Sequence, residues 1–431
     1  MSLYGAMMTG VAGLNAQSKA LSTASSNIAN VNTIGYKGGQ SVFSTLLTAN
    51  QGAGDVSSAG VIAMTQQNIT QQGLLQTTQS STDLGISGNG FFVVSQAAND
   101  HTTQYYTRAG DFQPDASGNL RNSAGFFLQG WPLDDTGAIP ADRNALTTVN
   151  IGNLSGKAQA TTNVSLHANL QSSTAAVTGY AAGDMAAGTV TPAFQRSVTV
   201  YDSQGGSQPL NVSFVKTGAN KWSYEVQYAG NEANLDGTTT DKVIASGDVT
   251  FNSDGTLATP SGALDVTIPF GASSGLQPQS IKLNLGTAGG SDGLTQFDSA
   301  STLISQNVDG ALFGNLTGIT VDHDGFVSAQ FSNGLSQKIY KVPVATFTNP
   351  DGLSAVSGNA FTANGDSGIA SLNEANLGGA GQVQSNALES STVDLATEFT
   401  NLITTQRAYS ASARVVTTAS DMLSELMQVV H

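Results

Sequence analysis

The chain has 431 residues, enough for two or three domains that each bury a core, and only 10% of its residues are charged. Its 30 acidic and 15 basic residues give a net charge of −15, which argues against a nucleic-acid partner and against attraction to an anionic membrane. The sequence contains no cysteine, so disulfides, thiolate metal sites and cysteine nucleophiles are excluded.

No window of about twenty apolar residues occurs, so membrane insertion is not expected. The first thirty residues lack the basic head and continuous apolar segment of a cleaved signal peptide, and Lys19 is their only charge. Any export from the cell is therefore expected to follow another route.

The N-terminal segment, residues 1–31, predicts an amphipathic helix. Its apolar residues recur with the seven-residue period of a coiled-coil seam. The seam positions are Met7, Leu14, Leu21 and Ile28, supported by Leu3 and Val11. Asn27, Asn30 and Asn32 are poor residues for a helix interior, so the helix is expected to end among them.

Two Gly-rich breaks are interpreted as linkers. Residues 32–75 are dominated by Gln, Ser, Thr and Gly, which predicts an extended or weakly paired segment. A second break at 373–387 precedes the last helix. Glycines in both breaks are interpreted as hinges: Gly35, Gly38 and Gly39 in the first, Gly378, Gly379 and Gly381 in the second.

Between the breaks the sequence predicts mainly β-structure. In residues 221–228 large apolar side chains alternate with polar ones, which predicts a strand with one buried and one wet face. The expected wet face carries Lys221, Ser223, Glu225 and Gln227. The same period of two recurs at 210–214, 266–270 and 281–285.

The expected fold class is α+β, mainly β, with a terminal α-helical coiled-coil domain and two nested antiparallel β domains of sandwich or barrel type. The expected domains are a helix (1–31), a linker (32–75), the first half of an inner β domain (76–145), an inserted outer β domain (146–290), the second inner half (291–372), a linker (373–387) and a helix (388–431).

The C-terminal segment repeats the seven-residue period of the first. The repeating positions are Leu388, Leu395, Leu402, Tyr409, Val416, Leu423 and Val430, with Phe399 among the interleaved positions. One antiparallel pair of helices covers only part of two such stripes, so we expect further copies of the chain to cover the rest. The alternative is an intramolecular pair that closes a globular fold.

No catalytic, cofactor or metal site is expected. His101, His167, His323 and His431 are far apart and lack the spacing of metal ligands. The stretch 322–325, Asp-His-Asp-Gly, lacks the third acidic position and closing Glu of a calcium loop, so it predicts a β-turn. A carboxylate pair for glycoside cleavage stays open, because sequence spacing does not restrict it.

Four side chains of the β regions receive structural interpretations. Trp131 and Trp222 are expected to be core anchors, since large aromatic residues in sheets usually supply buried area. Arg108 and Asp111 are expected to form at most an exposed ion pair worth under about 1 kcal/mol.

Short motifs along the chain carry a family resemblance. Near the start stands Ser26-Asn27-Ile28-Ala29-Asn30-Val31-Asn32-Thr33, followed by Gly35-Tyr36-Lys37. Further on come Asp83-Leu84-Gly85-Ile86, Gly88-Asn89-Gly90-Phe91-Phe92 and Tyr106-Thr107-Arg108-Ala109-Gly110-Asp111-Phe112. The last motifs are Val393-Asp394-Leu395 and Gln406-Arg407-Ala408-Tyr409. Over nearly its full length the chain thus resembles the bacterial flagellar axial proteins, the rod and hook subunits.

The segment 128–131, Leu-Gln-Gly-Trp, resembles the hook branch of that family. Two positions depart from the pattern, since Gly85 stands where relatives commonly carry Ala and Thr392 replaces the usual Asn. Ser391 or Thr392 is still expected to cap the last helix, with Asp394 in its first turn.

The resemblance implies a non-enzymatic subunit that polymerises into a curved, flexible, hollow tube, transmits torque and lets later subunits pass. It implies an extracellular place in the flagellum, reached without a cleaved signal peptide. The implied partners are other copies of the chain, the distal rod, hook cap and hook–filament junction proteins, and the export apparatus. The alternatives are a distal rod subunit or a secreted glycan-binding or glycan-cleaving β protein.

Overall fold

The computed structural model describes residues 3–49, 56–98, 100, 102–134, 137–152, 154, 156–237 and 242–429. A long helix lies near each end of the chain and strands fill the sequence between them, which confirms the mainly β, α+β fold class. The chain forms two compact units. Unit 1 comprises Met1–Asn153, Gly318–Ala329 and Gln337–His431, and unit 2 comprises Leu154–Thr317 and Gln330–Ser336.

The elements are given in chain order. They begin with α1 (Leu3–Ala29), β1 (Gly39–Ala49), β2 (Val56–Gln67), β3 (Leu75–Thr77), β4 (Leu84–Ser87), β5 (Phe91–Ser95), β6 (Tyr105–Thr107), β7 (Gln113–Pro114), β8 (Leu120–Arg121), β9 (Phe127–Pro132) and β10 (Thr147–Thr148). They continue with β11 (Lys157–Gln159), β12 (Asn163–Asn169), β13 (Phe194–Tyr201), β14 (Ser207–Gly218), β15 (Lys221–Tyr228), β16 (Val243–Phe251), β17 (Leu257–Thr259), β18 (Leu264–Ile268), β19 (Gln279–Asn284), β20 (Leu294–Thr295), β21 (Thr302–Val308) and β22 (Ala311–Gly314). They end with β23 (Leu316–Val321), β24 (Phe326–Phe331), β25 (Ser336–Lys341), β26 (Pro343–Thr346), β27 (Ser354–Val356), β28 (Ala360–Thr362), β29 (Ser371–Glu374), β30 (Gln382–Ser385), β31 (Ala387–Glu389) and α2 (Leu395–Val429).

Unit 1 contains a sheet in which β9, β5, β6, β28 and β27 are neighbours in that order. Strand β5 is buried along its whole length, as its continuous apolar sequence requires. Its Phe91 ring packs edge-on against Phe347 and Phe361, each at 5.9 Å between centroids. Trp131 is fully buried nearby and its indole N–H donates to the Arg143 carbonyl at 2.7 Å, so its prediction as a core anchor is confirmed.

Unit 2 contains two five-stranded sheets, one in the order β13-β14-β15-β16-β17 and one in the order β18-β19-β12-β20 with β21 also paired to β12, and β11 and β22 pair separately. The apolar positions of the period-two pattern form its core, and Trp222 is fully buried, as predicted. Strand β12 runs parallel to β19 and β20, where only antiparallel pairing was expected. Unit 2 runs on to Thr317 instead of ending at residue 290, because β20 and β21 both pair with β12.

The expected solvent-exposed face of β15 is exposed at Lys221 and half-buried at Gln227, but it is covered at its centre. Ser223 and Glu225 are 4% and 1% exposed. The Glu225 carboxylate accepts hydrogen bonds from the Tyr180 hydroxyl at 2.7 Å and from the Gly183 and Ala186 amides, each at 2.8 Å. The prediction was wrong at these two positions because the covering segment has no periodic signal and binds through backbone amides and the Tyr180 hydroxyl.

Several hairpins share one turn, an Asp followed three residues later by a Gly with positive φ. In Asp322–Gly325 the glycine has φ 79° and donates to the Asp322 carbonyl at 3.0 Å. The Asp322 side chain accepts the amides of Asp324 and Phe326 at 3.1 and 2.8 Å. The predicted β-turn is thus confirmed, and the same arrangement recurs at 115–118 and 202–205.

The two segments interpreted as linkers contain paired strands. Strands β1 and β2 form an antiparallel ladder from Gly39↔Gln67 to Ala49↔Val56. In the second segment, β30 pairs with β4. Polar composition alone did not reveal these ladders, since Ser, Thr and Gln pair through their backbones as readily as apolar residues do.

The last helix begins at Leu395, so the prediction that it begins at residue 388 was wrong. Leu388 lies in β31 opposite Gln76 of β3, where strand pairing uses its backbone. Asp394 caps the helix, since its carboxylate accepts the Thr397 amide at 3.0 Å. The expected cap at Ser391 or Thr392 was therefore also wrong.

Candidate assembly surface

The two terminal helices pack against each other in antiparallel orientation. Gly10 lies opposite Val416, and Asn27 near the other end of α1 lies opposite Glu398. A Cβ atom on Gly10 would stand only 2.7 Å from Val416 Cγ2. The buried residues of α1 include Ala16, Ala20 and Ala24, at the i, i+4 spacing of one helix face. The sequence interpretation weighed only large apolar residues and missed this row of small ones.

Both helices expose large apolar side chains among their polar ones. The exposed residues are Tyr4, Met8 and Val11 on α1, and Leu395, Phe399, Ile403, Tyr409, Val415, Met422, Leu426 and Met427 on α2. Tyr4 is 63% exposed and Met427 is 68% exposed. Large apolar side chains exposed in such numbers on one pair of elements indicate a binding surface for another protein.

The predicted seam residues divide into two groups. Met7, Leu14, Leu21, Ile28, Leu402, Val416 and Leu423 are half-buried, whereas Leu395, Phe399 and Tyr409 are exposed. Leu3 is the first residue of α1, Leu388 belongs to β31, and Val430 lies outside the described residues. An undistorted helix drifts by about 20° per heptad from a period of 3.5, so one heptad series changes faces along a long helix. The role of these seam residues as a subunit interface remains a prediction.

The hairpin of β1 and β2 packs against α1, and its strands add to the exposed apolar surface. The exposed residues are Val42, Phe43, Leu46, Ile62 and Met64. A two-stranded hairpin is marginally stable by itself, so it depends on α1 and on whatever covers its other side. Together α1, α2, β1 and β2 form what we call the helix–hairpin layer.

Asn27 joins three elements of this layer instead of ending α1. It is 2% exposed, and its amide nitrogen donates to the Gly39 carbonyl at 2.7 Å and to Glu398 Oε1 at 2.9 Å. Its Oδ1 accepts the Gly39 amide at 2.9 Å. Asn30 is the residue that ends the helix, because its side chain donates to the Ser26 carbonyl at 2.9 Å.

The other family-motif residues take different positions. Asp394 is the cap of α2, and Val393 beside it is half-buried. Asn32, Gln406 and Arg407 are exposed, and their contribution remains a prediction.

A buried ionic cluster lies beside the layer. Glu389 is fully buried, with Oε1 2.5 Å from Lys37 Nζ and Oε2 3.0 Å from Arg108 Nη1. These three residues are called the Glu389 triad below. Arg108 is 3% exposed, so its prediction as an exposed partner of Asp111 was wrong. No local pattern predicts this pairing, because Lys37 and Glu389 are 352 residues apart.

The triad places two cations against one anion. Burial lowers the pKa of Lys37, and the attraction of Glu389 opposes that shift. Burial also lowers the pKa of Arg108, again against the attraction of Glu389. The Arg108 guanidinium donates further to the carbonyls of Ile86 at 3.2 Å and Gly88 at 2.7 Å. Glu389 is therefore the group whose loss would leave two buried charges uncompensated.

The glycines interpreted as hinges have unequal freedom. A Cβ on Gly35 would lie 2.7 Å from the Arg108 carbonyl carbon, and one on Gly381 would lie 2.5 Å from the Ser87 oxygen. Gly38 and Gly39 lie beside side chains of neighbouring elements, whereas nothing lies within 4 Å of a Cβ on Gly379. A Cβ on exposed Gly378 would lie 2.8 Å from Asn373 Oδ1, so Gly379 fits a hinge best, and the hinge itself remains a prediction.

Neither a metal site nor a membrane segment is apparent in the described part of the chain. Among those residues, no three His, Asp or Glu side chains are grouped so as to hold a metal ion. Within the same ranges, neither helix has the length and apolarity needed to cross a bilayer.

Sequence comparisons match this architecture to flagellar proteins. Residues 7–37 match the flagella basal body rod protein family, and 85–169 match the flagellar hook protein FlgE/F/G D1 domain. Residues 169–311 match the flagellar basal body protein FlaE D2 domain, and 384–429 match the flagellar basal body rod FlgEFG protein C-terminal domain.

Individual relatives match over the whole chain. The flagellar hook protein FlgE of Rhizobium meliloti is 36% identical and that of Caulobacter vibrioides 34% identical, each with 100% of both chains covered. The crystal structure of Helicobacter pylori flagellar hook protein FlgE2 is similar in fold, with a TM-score of 0.50 and 14% identity, covering 73% of this chain and 100% of that one. The chain belongs to the flagellar hook protein family, which is a family of structural proteins and not of enzymes.

Proposed function

We propose that this member of the flagellar hook protein family is the subunit of a flagellar hook: a curved, flexible, hollow homopolymer that transmits torque from rod to filament and lets later subunits pass. The observation that carries the proposal is the outward apolar surface of the helix–hairpin layer. Other copies of the chain would cover that surface in the polymer.

The exposure of individual side chains supports self-association. Phe399 and Ile403, one turn apart on α2, are 52% and 47% exposed. Met64 on the hairpin is 64% exposed. Removing such surface from water contributes about 25 cal/mol per Å², which offsets the entropy lost when the chain ends become ordered. In the free subunit the termini are therefore expected to be the least stable part.

The composition supports a flexible polymer. Only 10% of residues are charged, so contacts between neighbouring β units would use uncharged Ser, Thr and Asn side chains and bridging water. Such contacts break and re-form at a low cost in free energy, whereas the apolar contacts of the helix–hairpin layer stay in place. Bending within a subunit would be easiest at Gly379.

Membership of the family also supports proposals for the polymer's partner proteins and for its place in the flagellum. The polymer would stand outside the cell, between a distal rod and the hook–filament junction proteins, with a cap at its growing end. The subunit would leave through the flagellar export apparatus without a cleaved signal peptide. No nucleic acid or membrane takes part in this proposal.

Electron microscopy of material assembled from the purified full-length chain tests the function. The proposal predicts hollow curved tubes whose curvature varies along their length. Straight rigid tubes would favour the distal rod alternative. A chain that stays monomeric under all assembly conditions, or that binds or cleaves glycans in a pull-down or hydrolysis assay, would contradict the hook proposal.

A further inference from the structure

Both connections between the helix–hairpin layer and the rest of unit 1 meet at Glu389, together with the segment that joins α1 to β1 inside the layer. The segment 30–38 joins α1 to β1, 68–74 joins β2 to β3, and 390–394 joins β31 to α2. Glu389 is the last residue of β31, and Lys37 lies two residues before β1.

The first two segments each contact Glu389 directly. Lys37 supplies its ammonium from the first segment, and the Gly35 amide donates to the Glu389 carbonyl oxygen at 2.7 Å. From the second, the Gly73 amide donates to Glu389 Oε1 at 2.7 Å, while Lys37 Nζ also donates to the Gln71 carbonyl at 2.5 Å.

The third segment follows Glu389 directly and is fixed by backbone contacts. The Ser390 amide donates to the Leu74 carbonyl at 2.9 Å, and the Thr392 amide donates to the Tyr36 carbonyl at 3.1 Å. All three segments are thus bound to one another at this point.

Arg108 connects this meeting point to the β-sheet. It directly follows β6, which pairs with β5 in the sheet of unit 1. Its guanidinium lies 5.4 Å from the centre of the Phe91 ring in β5 while it holds Glu389 Oε2. The carboxylate therefore bonds on one side to the connecting segments and on the other to a residue anchored in the core.

We propose that the Glu389 triad is a positioning device that fixes the helix–hairpin layer in one orientation on the β-sheet of unit 1. Load applied to the layer then passes to the sheet through buried charged contacts and not through loose linkers. This inference rests on the proposed hook function for its mechanical meaning, but its structural part is testable on the free subunit.

The excess of cations decides which substitution matters most. E389Q keeps the shape of the side chain and leaves Lys37 and Arg108 buried without an anion. K37M removes one cation and leaves Arg108 and Glu389 as a one-to-one pair. Breaking a buried ion pair is far more disruptive when it strands a charge, so E389Q is expected to exceed K37M in effect.

The matched control is an exposed ion pair. Lys221 Nζ lies 2.8 Å from Asp248 Oδ2 on unit 2, and these side chains are 48% and 50% exposed. K221M therefore removes the same kind of cation from a pair that water already screens. It is expected to leave exchange rates and assembly unchanged.

Hydrogen–deuterium exchange on the purified full-length subunit tests the structural part. In E389Q the amides of Gly35, Gly73 and Ser390 are expected to exchange about 100-fold faster than in the wild type, and less than about tenfold faster in K37M. Unit 2 amides serve as the internal reference for correct folding. Equal rates at the three amides in E389Q and wild type, or a larger effect of K37M, would overturn the proposal. If E389Q unfolds outright, exchange at the three amides is compared between K37M and K221M. Faster exchange in K37M supports the proposal, and equal rates in the two variants contradict it.

Electron microscopy of assembled tubes tests the mechanical part. E389Q is expected to give tubes with a wider spread of orientation between the layer and the β-sheet, with K37M close to wild type. E389Q tubes identical to wild type, despite faster exchange, would refute the positioning role and leave the hook function intact. A wild-type chain that forms no tube would instead refute the proposed function, and the exchange data would still judge the triad.

Discussion

The substitution Phe399→Ser tests whether the exposed side of α2 contributes to assembly. Phe399 is 52% exposed in the single chain, so about half of its surface remains for a neighbouring subunit to cover. An aromatic side chain carries about 200 Å² of surface, which leaves about 100 Å² to be covered by a neighbour. At about 25 cal/mol per Å², the loss is about 2.5 kcal/mol per subunit added, or a factor of about 60 in the critical concentration for polymerisation.

The assay is sedimentation of polymer over a series of total subunit concentrations. By the same arithmetic the free F399S subunit loses a similar amount of stability, so circular dichroism must first show that α2 is still helical under the conditions of the assay. Ile369→Ser is the matched control, since Ile369 is 90% exposed but lies outside the helix–hairpin layer. An F399S critical concentration within threefold of wild type would refute the reasoning, as would an equal effect of I369S.

Three further predictions concern local contacts. Gly10→Ala places a methyl 2.7 Å from Val416 Cγ2 and should destabilise the helix pair by about 1–3 kcal/mol, measured by chemical denaturation of α-helical circular dichroism. Asp394→Ala removes the cap of α2 and should cost about 1 kcal/mol by the same measurement, whereas D394N should cost little because Asn also caps. Burial and the bond to Glu225 raise the pKa of Tyr180, so the folded chain keeps this proton where the unfolded chain loses it. Stability should therefore fall as pH rises above about 10, and Tyr180→Phe should reduce that fall in pH-dependent denaturation. Unchanged helix stability in G10A, equal effects of D394A and D394N, or an unaltered alkaline profile in Y180F would each contradict the corresponding contact.

Local patterns predicted the elements whose structure depends on neighbouring residues. The apolar run Phe91–Ser95 forms β5, and the Asp-to-Gly turn at 322–325 forms as expected. Trp131 and Trp222 could be assigned to cores because large aromatic residues in sheets usually supply buried area. Family motifs supplied the assembly hypothesis, which periodicity alone left open.

Contacts between distant segments could not be predicted. Burial of Glu225 depends on the segment near Tyr180, and burial of Glu389 depends on Lys37 and Arg108. An isolated Glu in a sequence predicts a surface residue, since a charged side chain is rarely buried without partners. A single sequence does not show which distant residues will contact that Glu in the folded chain.

The same limit explains the error at the start of the last helix. Leu388 fits the heptad series, but β3 provides a strand that pairs with it. A regular spacing of apolar residues thus identifies a face and leaves the end of the helix undetermined. The Asp394 cap marks that end in the structure.

Hydrogen–deuterium exchange of α1 and α2, compared between the free full-length subunit and the assembled tube, tests the central claim most directly. If neighbouring copies complete the helix–hairpin layer, both helices exchange rapidly in the free subunit and become strongly protected in the tube, while amides in the core of unit 2 change little. Helices equally protected in both states would show that the single chain already completes its terminal domain, and would contradict the account.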